Sequence, residues 1–152
     1  MFPEHRPRRL RRNAALRRMV RETSLSVDDL IYPLFIKEGK SIREPIDAMP
    51  GQERISPDQL APIAKNIASL GIPAVLLFGI PQKKDSLGTQ AHRNDGVVQQ
   101  AVRRIKDAAP DLLVITDVCL CEYMSHGHCG ILNQKGEVEN DETLDILAKV
   151  AE

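Results

Sequence analysis

Tryptophan is absent from this chain, and aromatic residues of every kind make up only 3 % of it. A core must therefore be built from Leu, Ile, Val and Ala. No apolar run reaches the roughly eighteen residues of a transmembrane helix, so no membrane span is expected. The N-terminus lacks the basic, apolar and small-residue succession of a secretory signal. Net charge is missing too, because 21 Lys and Arg offset 21 Asp and Glu. With 152 residues and a hydrophobic fraction of 42 %, the composition excludes a disordered chain and fits about one globular domain with a moderate core. Cysteine is scarce: there are three, Cys119, Cys121 and Cys129, all within one short stretch. An odd number of close thiols suits a disulfide framework poorly, so a reducing, cytoplasmic setting is expected.

What charge there is lies unevenly. Arg6, Arg8, Arg9, Arg11, Arg12, Arg17, Arg18 and Arg21 crowd the start, and before Glu22 only Glu4 is negative. Clustered cations can release counterions from phosphates, which makes a nucleic-acid arm one reading. The arm has no aromatic interleaving for base stacking, however. A solvated arm that docks on an acidic surface, such as that of another subunit, is the plainer reading.

Punctuation and periodicity lay out the elements. "NAALRRMVRET" (13–23) is predicted to be a short helix capped by Asn13, with Leu16, Met19 and Val20 on one face. "SVDDL" follows as a capped turn. "LIYPLFI" (30–36) is a buried strand in which Pro33 suggests an edge or irregular place. "MPG" (49–51) marks a turn. In 56–71, Ser56 at the cap, Pro57 at the first position and Gly71 past the end frame a helix, with Pro62 tolerated in its first turns. "AVLLFGI" (74–80) is a second apolar run. A helix over 95–110 carries Val98, Val102 and Ile105 on one stripe. "LLVITDVCL" (112–120) is the third strand, and the tail from Asn140 begins another helix, with Asp141 or Thr143 near its cap. The alternation predicts an α/β architecture of parallel strands apolar on both faces and covered by helices. Three βα units close no barrel, so the pattern reads as unfinished at Glu152.

The cysteines, spaced Cys-x-Cys-x7-Cys, follow the third strand directly. The C-terminal ends of parallel strands are where α/β folds place their sites. Cys119 and Cys121 either point the same way along the strand or sit together on its exit loop. Gly127 gives the loop the freedom to bring Cys129 back. Three soft thiolates favour Zn²⁺ over Mg²⁺ or Ca²⁺ and leave a fourth tetrahedral position for water or substrate. His126 or His128 can supply a fourth ligand, although hydrogen bonding behind the ligands is the favoured role for both. A two-cysteine redox site would normally read Cys-x-x-Cys. Asp117 stands at the strand end, where it can orient a ligand, touch substrate or merely cap the loop. Lys37, just past the first strand, can in principle form an imine, but an exposed lysine is the commoner case. No Ser/His/Asp arrangement or phosphate loop stands out.

"DVCLCEYMSHGHCGIL" (117–132) resembles the zinc-binding signature of the porphobilinogen synthase (δ-aminolevulinate dehydratase) family. "RPRRLRRNAALRRMVRET", "LIYPLFIKEG", "AMPGQERIS", "GIPAVLLFGIP", "KDSLGTQAHRNDGVVQQAVRRIK" and "PDLLVITDVCL" continue the resemblance in order over essentially the whole chain. It implies a (β/α)8 TIM barrel, with a basic arm over residues 1–29 and a partial barrel over 30–152. It implies the condensation of two 5-aminolevulinate molecules to porphobilinogen with loss of two waters. Cys119, Cys121 and Cys129 match the family's zinc ligands, and the metal would polarise the second substrate near Asp117. His128 matches a residue of an accessory metal site, and a second, allosteric Mg²⁺ belongs to some intact members. The arm implies a homo-octamer, with no role for nucleic acid or membrane. Met124 departs from the family's usual Thr, which implies a packing change in the loop.

Family chains run to about twice this length, as a (β/α)8 barrel requires. The two lysines that form Schiff bases with substrate lie on later strands, beyond Glu152. Taken alone the chain is therefore expected to lack activity, since imine formation needs those lysines. Exposed sheet edges and helix faces are expected to make it self-associate. The competing readings are a non-catalytic zinc-binding module from a truncated barrel and, much more weakly, a nucleic-acid binder.

Overall fold

The computed structural model describes residues 4–152; the first three residues of the expected 1–29 arm lie outside the described residues. The arm begins with a 3₁₀ turn, Pro7–Arg11, followed by α1, Ala14–Met19. Asn13 caps α1 as expected, its side-chain oxygen accepting from the Leu16 N–H at 2.8 Å. The helix stops at Met19, shorter than the predicted 13–23, and its apolar face is only partly covered among the described residues: Leu16 is half-buried, but Met19 is 82 % exposed. Ser26 then opens a second capped turn, Val27–Asp29, with the reciprocal bonds of a capping box.

Three strands form a parallel arc. β1 (Ile31–Lys37) pairs along its full length with β4 (Ala74–Ile80), and β4 pairs with β5 (Leu113–Thr116). The crossovers are α2 (Leu60–Ser69) and α3 (Val97–Ala108). A short hairpin, β2 (Arg43–Pro45) with β3 (Glu53–Ile55), was not predicted. Three-residue strands carry too little periodicity to stand out, although the "MPG" turn falls in its loop as expected. The sheet order is β2-β3-β1-β4-β5. β1 is thus central and not an edge. β3 reaches β1 only at Phe35 and Ile36, so Pro33 sits where that side of β1 is unpaired.

Successive strand side chains point to opposite faces. Leu34, Ile36, Val75 and Leu77 pack against Leu60, Ala64 and Ile67 of α2 and Val97, Ala101 and Ile105 of α3. Each large side chain fully buried there contributes about 1.5–3 kcal/mol before conformational entropy is counted. The buried stripe of α3 runs along Val97, Ala101 and Ile105, with Val98 and Val102 partly buried at its margin. This shifts the predicted stripe by one residue. Pro57 opens the 3₁₀ turn before α2, and Pro62 falls in the first turn of α2, where its missing N–H has no intrahelical partner to lose.

The second sheet face differs from expectation. It carries Ile31, Pro33 and Phe35, then Leu76 and Phe78, then Leu113 and Ile115. Phe35 and Phe78 stack at 5.3 Å, yet Ile31 and Leu113 are more than half exposed. Apolarity on both faces was read correctly, but cover on both faces is not present among the described residues.

The last helix, α4 (Asn140–Ala151), packs elsewhere. Ile146, Leu147 and Val150 lean on a second small core of Ala91, Leu120, Tyr123 and Met124. Asp141 lies in its first turn, near the cap as expected, and the cap position itself is Glu139. Thr143 is buried within the first turn and bonds the Glu139 carbonyl at 2.6 Å.

Candidate metal centre

β5 ends at Thr116, four residues short of the predicted 112–120 strand, so all three cysteines lie on its exit loop. The loop is anchored twice. Leu120 is fully buried, and its carbonyl accepts from both the Tyr123 and the Met124 N–H at 2.9 Å. Met124 is 1 % exposed. Its sulfur and methyl lie against Gly88, so the side chain at this position is a packing element. Asp117 continues the strand's reach, its N–H donating to the Leu77 carbonyl at 3.3 Å.

These anchors bring the thiols together. Cys119 Sγ lies 3.3 Å from Cys121 Sγ and 3.5 Å from Cys129 Sγ, and all three sulfurs fall within 4.8 Å of one another. Tetrahedral zinc with Zn–S bonds of about 2.3 Å needs sulfurs about 3.8 Å apart. The donor set therefore fits that metal in both chemistry and spacing. Gly127 has φ +76°, a left-handed conformation that turns the chain between the two histidines and sends Cys129 back. The return leg is held by Thr143, whose hydroxyl accepts from the Ile131 N–H at 3.0 Å.

A second donor set shares one thiol with the first. Asp117, Cys119 and Glu122 offer donor atoms within 4.8 Å of one another, and Glu122 Oε2 lies 3.1 Å from Cys121 Sγ. Sequence reasoning missed Glu122. Its only signal was adjacency to Cys121, which a surface glutamate would share.

Four acids around this point, Asp117, Cys121, Tyr123 and Cys129, resist ionisation. Burial, and then the charge of Glu122, raise the Asp117 carboxyl. Burial, and then the bonds to Glu122 and Cys119, raise the Cys121 thiol. The bond to Cys119 and that thiol's charge raise Cys129. Tyr123 is pushed up to about 12, chiefly by burial. A bound cation relieves such a concentration of acidic groups and stabilises their deprotonated forms.

The histidines stand apart. His126 Nδ1 accepts from the His128 N–H at 3.2 Å, so the neutral ring carries its proton on Nε2. That Nε2 is buried without a partner. In this arrangement His126 offers no lone pair to a metal, and neither it nor exposed His128 joins either donor set. Lys37 is held by both carboxylate oxygens of Glu44, at 2.7 and 2.8 Å. A cavity of about 180 Å³ opens beside the loop, between Asp117, Thr116, Tyr123 and the α3 residues Val98 and Gln99.

Comparison with known proteins gives the arrangement a context. The family model described as delta-aminolevulinic acid dehydratase matches residues 4–152. The delta-aminolevulinic acid dehydratase of Halalkalibacterium halodurans is 51 % identical over 150 residues, 99 % of this chain and 45 % of its own length. That of Methanothermus sociabilis is 53 % identical over 150 residues, 99 % of this chain and 46 % of its own. A crystal structure of the Toxoplasma gondii ME49 enzyme in complex with the reaction product porphobilinogen superposes with a TM-score of 0.91 at 36 % identity, covering 97 % of this chain and 43 % of that one. The chain spans about half the length of these relatives.

Proposed function

The chain belongs to the delta-aminolevulinic acid dehydratase family, and from that premise we propose that it carries the metal-binding half of a porphobilinogen synthase active site. The reaction is the condensation of two 5-aminolevulinate molecules to porphobilinogen with loss of two waters. The observation that carries this reading is the convergence of Cys119, Cys121 and Cys129 at the C-terminal end of a parallel strand, within 4.8 Å of one another. That is the end at which barrel enzymes do their chemistry.

Zn²⁺ held by the three thiolates would supply a Lewis acid that polarises a substrate oxygen. The chain's own residues do the rest of the local work. Leu120 and Met124 fix the loop, Gly127 returns Cys129, and Asp117 stands at the strand end beside the cavity, where a substrate amine or hydroxyl can meet its carboxylate. Burial, and then the charge of Glu122, raise the Asp117 carboxyl above its ordinary value, a shift common among carboxyls at functional sites. His126 and His128 order the loop behind the ligands. An allosteric Mg²⁺ belongs to the same reading for the intact assembly.

The arginine-rich arm, residues 1–29, is the oligomer contact of a homo-octamer, and 30–152 is the first part of the barrel. The uncovered Met19, Val20 and Leu25 support a partner surface there better than a phosphate-binding one. The cell compartment is the cytoplasm. No helix among the described residues is long and apolar enough to cross a membrane. The Schiff-base lysines lie outside these 152 residues, so the chain alone is inactive.

Purified chain supplied with Zn²⁺ and 5-aminolevulinate tests the reading. The expected result is one zinc per chain, lost in Cys119→Ala, with no porphobilinogen formed. Zinc stoichiometry unchanged in Cys119→Ala overturns the site. Porphobilinogen production overturns the assignment of the covalent half elsewhere. The second reading, a non-catalytic zinc-binding module, predicts that supplying the remaining portion of a relative's barrel restores no activity.

A further inference from the structure

Gly79 of β4 supplies no ligand, yet it governs how closely the cysteine loop approaches the sheet. A Cβ at this position would stand 2.3 Å from Tyr123 Oη, 3.2 Å from its Cζ and 2.6 Å from Val98 Cγ2. Real Cβ atoms essentially never come below 3.0 Å, so one or both of these side chains must shift. The backbone here has no need of glycine, because Gly79 is not among the positive-φ residues. The need is for space, and glycine within a strand commonly marks such an approach.

Two neighbours compete for that space. Val98 belongs to α3 and so to the helix-covered core. Tyr123 belongs to the thiol loop, two residues after Cys121, and is 6 % exposed. Its backbone is tied on both sides: the N–H donates to the Leu120 carbonyl at 2.9 Å, and the carbonyl accepts from Asp85 N–H at 3.2 Å. The ring pressed by a Cβ at residue 79 is thus joined to the segment that holds Cys119 and Cys121.

We propose that Gly79 is a positioning residue for the three-thiol site, acting through Tyr123: its missing side chain seats the phenol against β4 and so sets the spacing of Cys119, Cys121 and Cys129. The inference rests on the zinc reading for its use, but the claim about thiol spacing stands without zinc.

The test uses the full chain and the variants Gly79→Ala, Gly79→Ala/Tyr123→Phe and Gly79→Ala/Val98→Ala. Zn²⁺ affinity is read by chelator competition. Thiol spacing is read by capture of a trivalent phenylarsenical, which needs two neighbouring thiols, and folding is read by thermal melting. Gly79→Ala is expected to weaken Zn²⁺ binding about 10- to 100-fold, the range for residues that orient metal ligands, and to slow arsenical capture. Tyr123→Phe, which removes the atom at 2.3 Å, is expected to recover much of both. Val98→Ala is expected to recover melting temperature but not affinity. Affinity and capture matching the parent's in Gly79→Ala, or recovery through Val98→Ala and not through Tyr123→Phe, overturn the proposal and leave Gly79 as room for α3. Should the parent take up no zinc while the arsenical pattern holds, the zinc reading fails and the positioning role stands. If Gly79→Ala does not fold, Tyr123→Leu removes the seated phenol with Gly79 intact. Lowered affinity and capture in that folded variant support the proposal, and parental values overturn it.

Discussion

Asp85 and Met124, far apart in the chain, meet as a one-residue parallel bridge between the exit loops of β4 and β5. Asp85 N–H donates to the Tyr123 carbonyl at 3.2 Å, and Ser125 N–H donates to the Asp85 carbonyl at 2.9 Å. The Asp85 carboxylate meanwhile holds its own turn, accepting from Leu87 N–H at 2.9 Å, Thr89 N–H at 3.1 Å and the Thr89 hydroxyl. Asp85→Ala should therefore cost about 1–2 kcal/mol of stability, as expected for loss of charged hydrogen bonds. It should also weaken metal binding, although residue 85 belongs to neither donor set. Chemical denaturation together with chelator competition reads both effects, and a stability loss with unchanged affinity would separate the two loops.

Cys119 is the thiol that both short sulfur contacts share, at 3.3 and 3.5 Å, and it belongs to both donor sets. Cys119→Ser should lower Zn²⁺ affinity by more than the roughly 10–100-fold typical of residues behind the ligands. Cys129→Ser, at the exposed end of the set, should cost less. Equal losses in the two variants would contradict the central place of Cys119.

Thr143 carries the return leg. Its hydroxyl accepts from Ile131 N–H and donates to the Glu139 carbonyl, and the residue is 5 % exposed. Thr143→Val keeps the shape but orphans a part-buried N–H, which costs about 1 kcal/mol. The expected signature is a lower melting temperature with the largest change in hydrogen exchange around residues 130–131.

Acid should weaken the fold through Asp58. Its carboxyl is lowered to about 2 by hydrogen bonds from Ser56 and then Gln59, with the Ser41 N–H also bonded to it. A depressed folded value means that the stabilisation is present above the unfolded value of 3.8 and lost as pH falls toward about 2. Asp58→Asn should flatten the melting temperature between pH 4 and pH 2, where the parent's falls; the flattening is measured by a melting series across that range.

Alkali should act on the metal-free thiols in the opposite sense. Cys121 and Cys129 have values raised above the ordinary 9.0. The metal-free fold therefore keeps its stability below about pH 9 and loses it as pH rises further, because the unfolded thiols ionise first. Bound Zn²⁺ should reverse this trend, since it binds the deprotonated form and its affinity climbs with pH. Melting with and without Zn²⁺ from pH 7 to pH 10 should give curves that diverge.

Much of this was legible in the sequence because it is local. Asn13, Pro57 and Gly71 announce helix ends by chemistry confined to one turn, and the three apolar runs are long enough to show β1, β4 and β5. The thiols were legible because their spacing and their place after a strand need no tertiary knowledge. The β2–β3 hairpin was not, since three-residue strands owe their existence to pairing with each other and with β1. The uncovered sheet face escaped because apolarity records what a residue tolerates and not what lies across from it. Glu122 and Gly79 escaped for a related reason. Their importance is a distance to another part of the chain, and nothing in their own neighbourhood encodes it.

The three thiols, the bridge from Asp85 and the seat at Gly79 all fall between β4 and the start of α4. The donor set thus closes a short contour of chain, and the entropy of bringing its members together is small beside that of closing a whole barrel. Metal capture by such a site can precede distant strand pairing during synthesis. An ion held early would then pin the β5 exit loop before α4 packs over it.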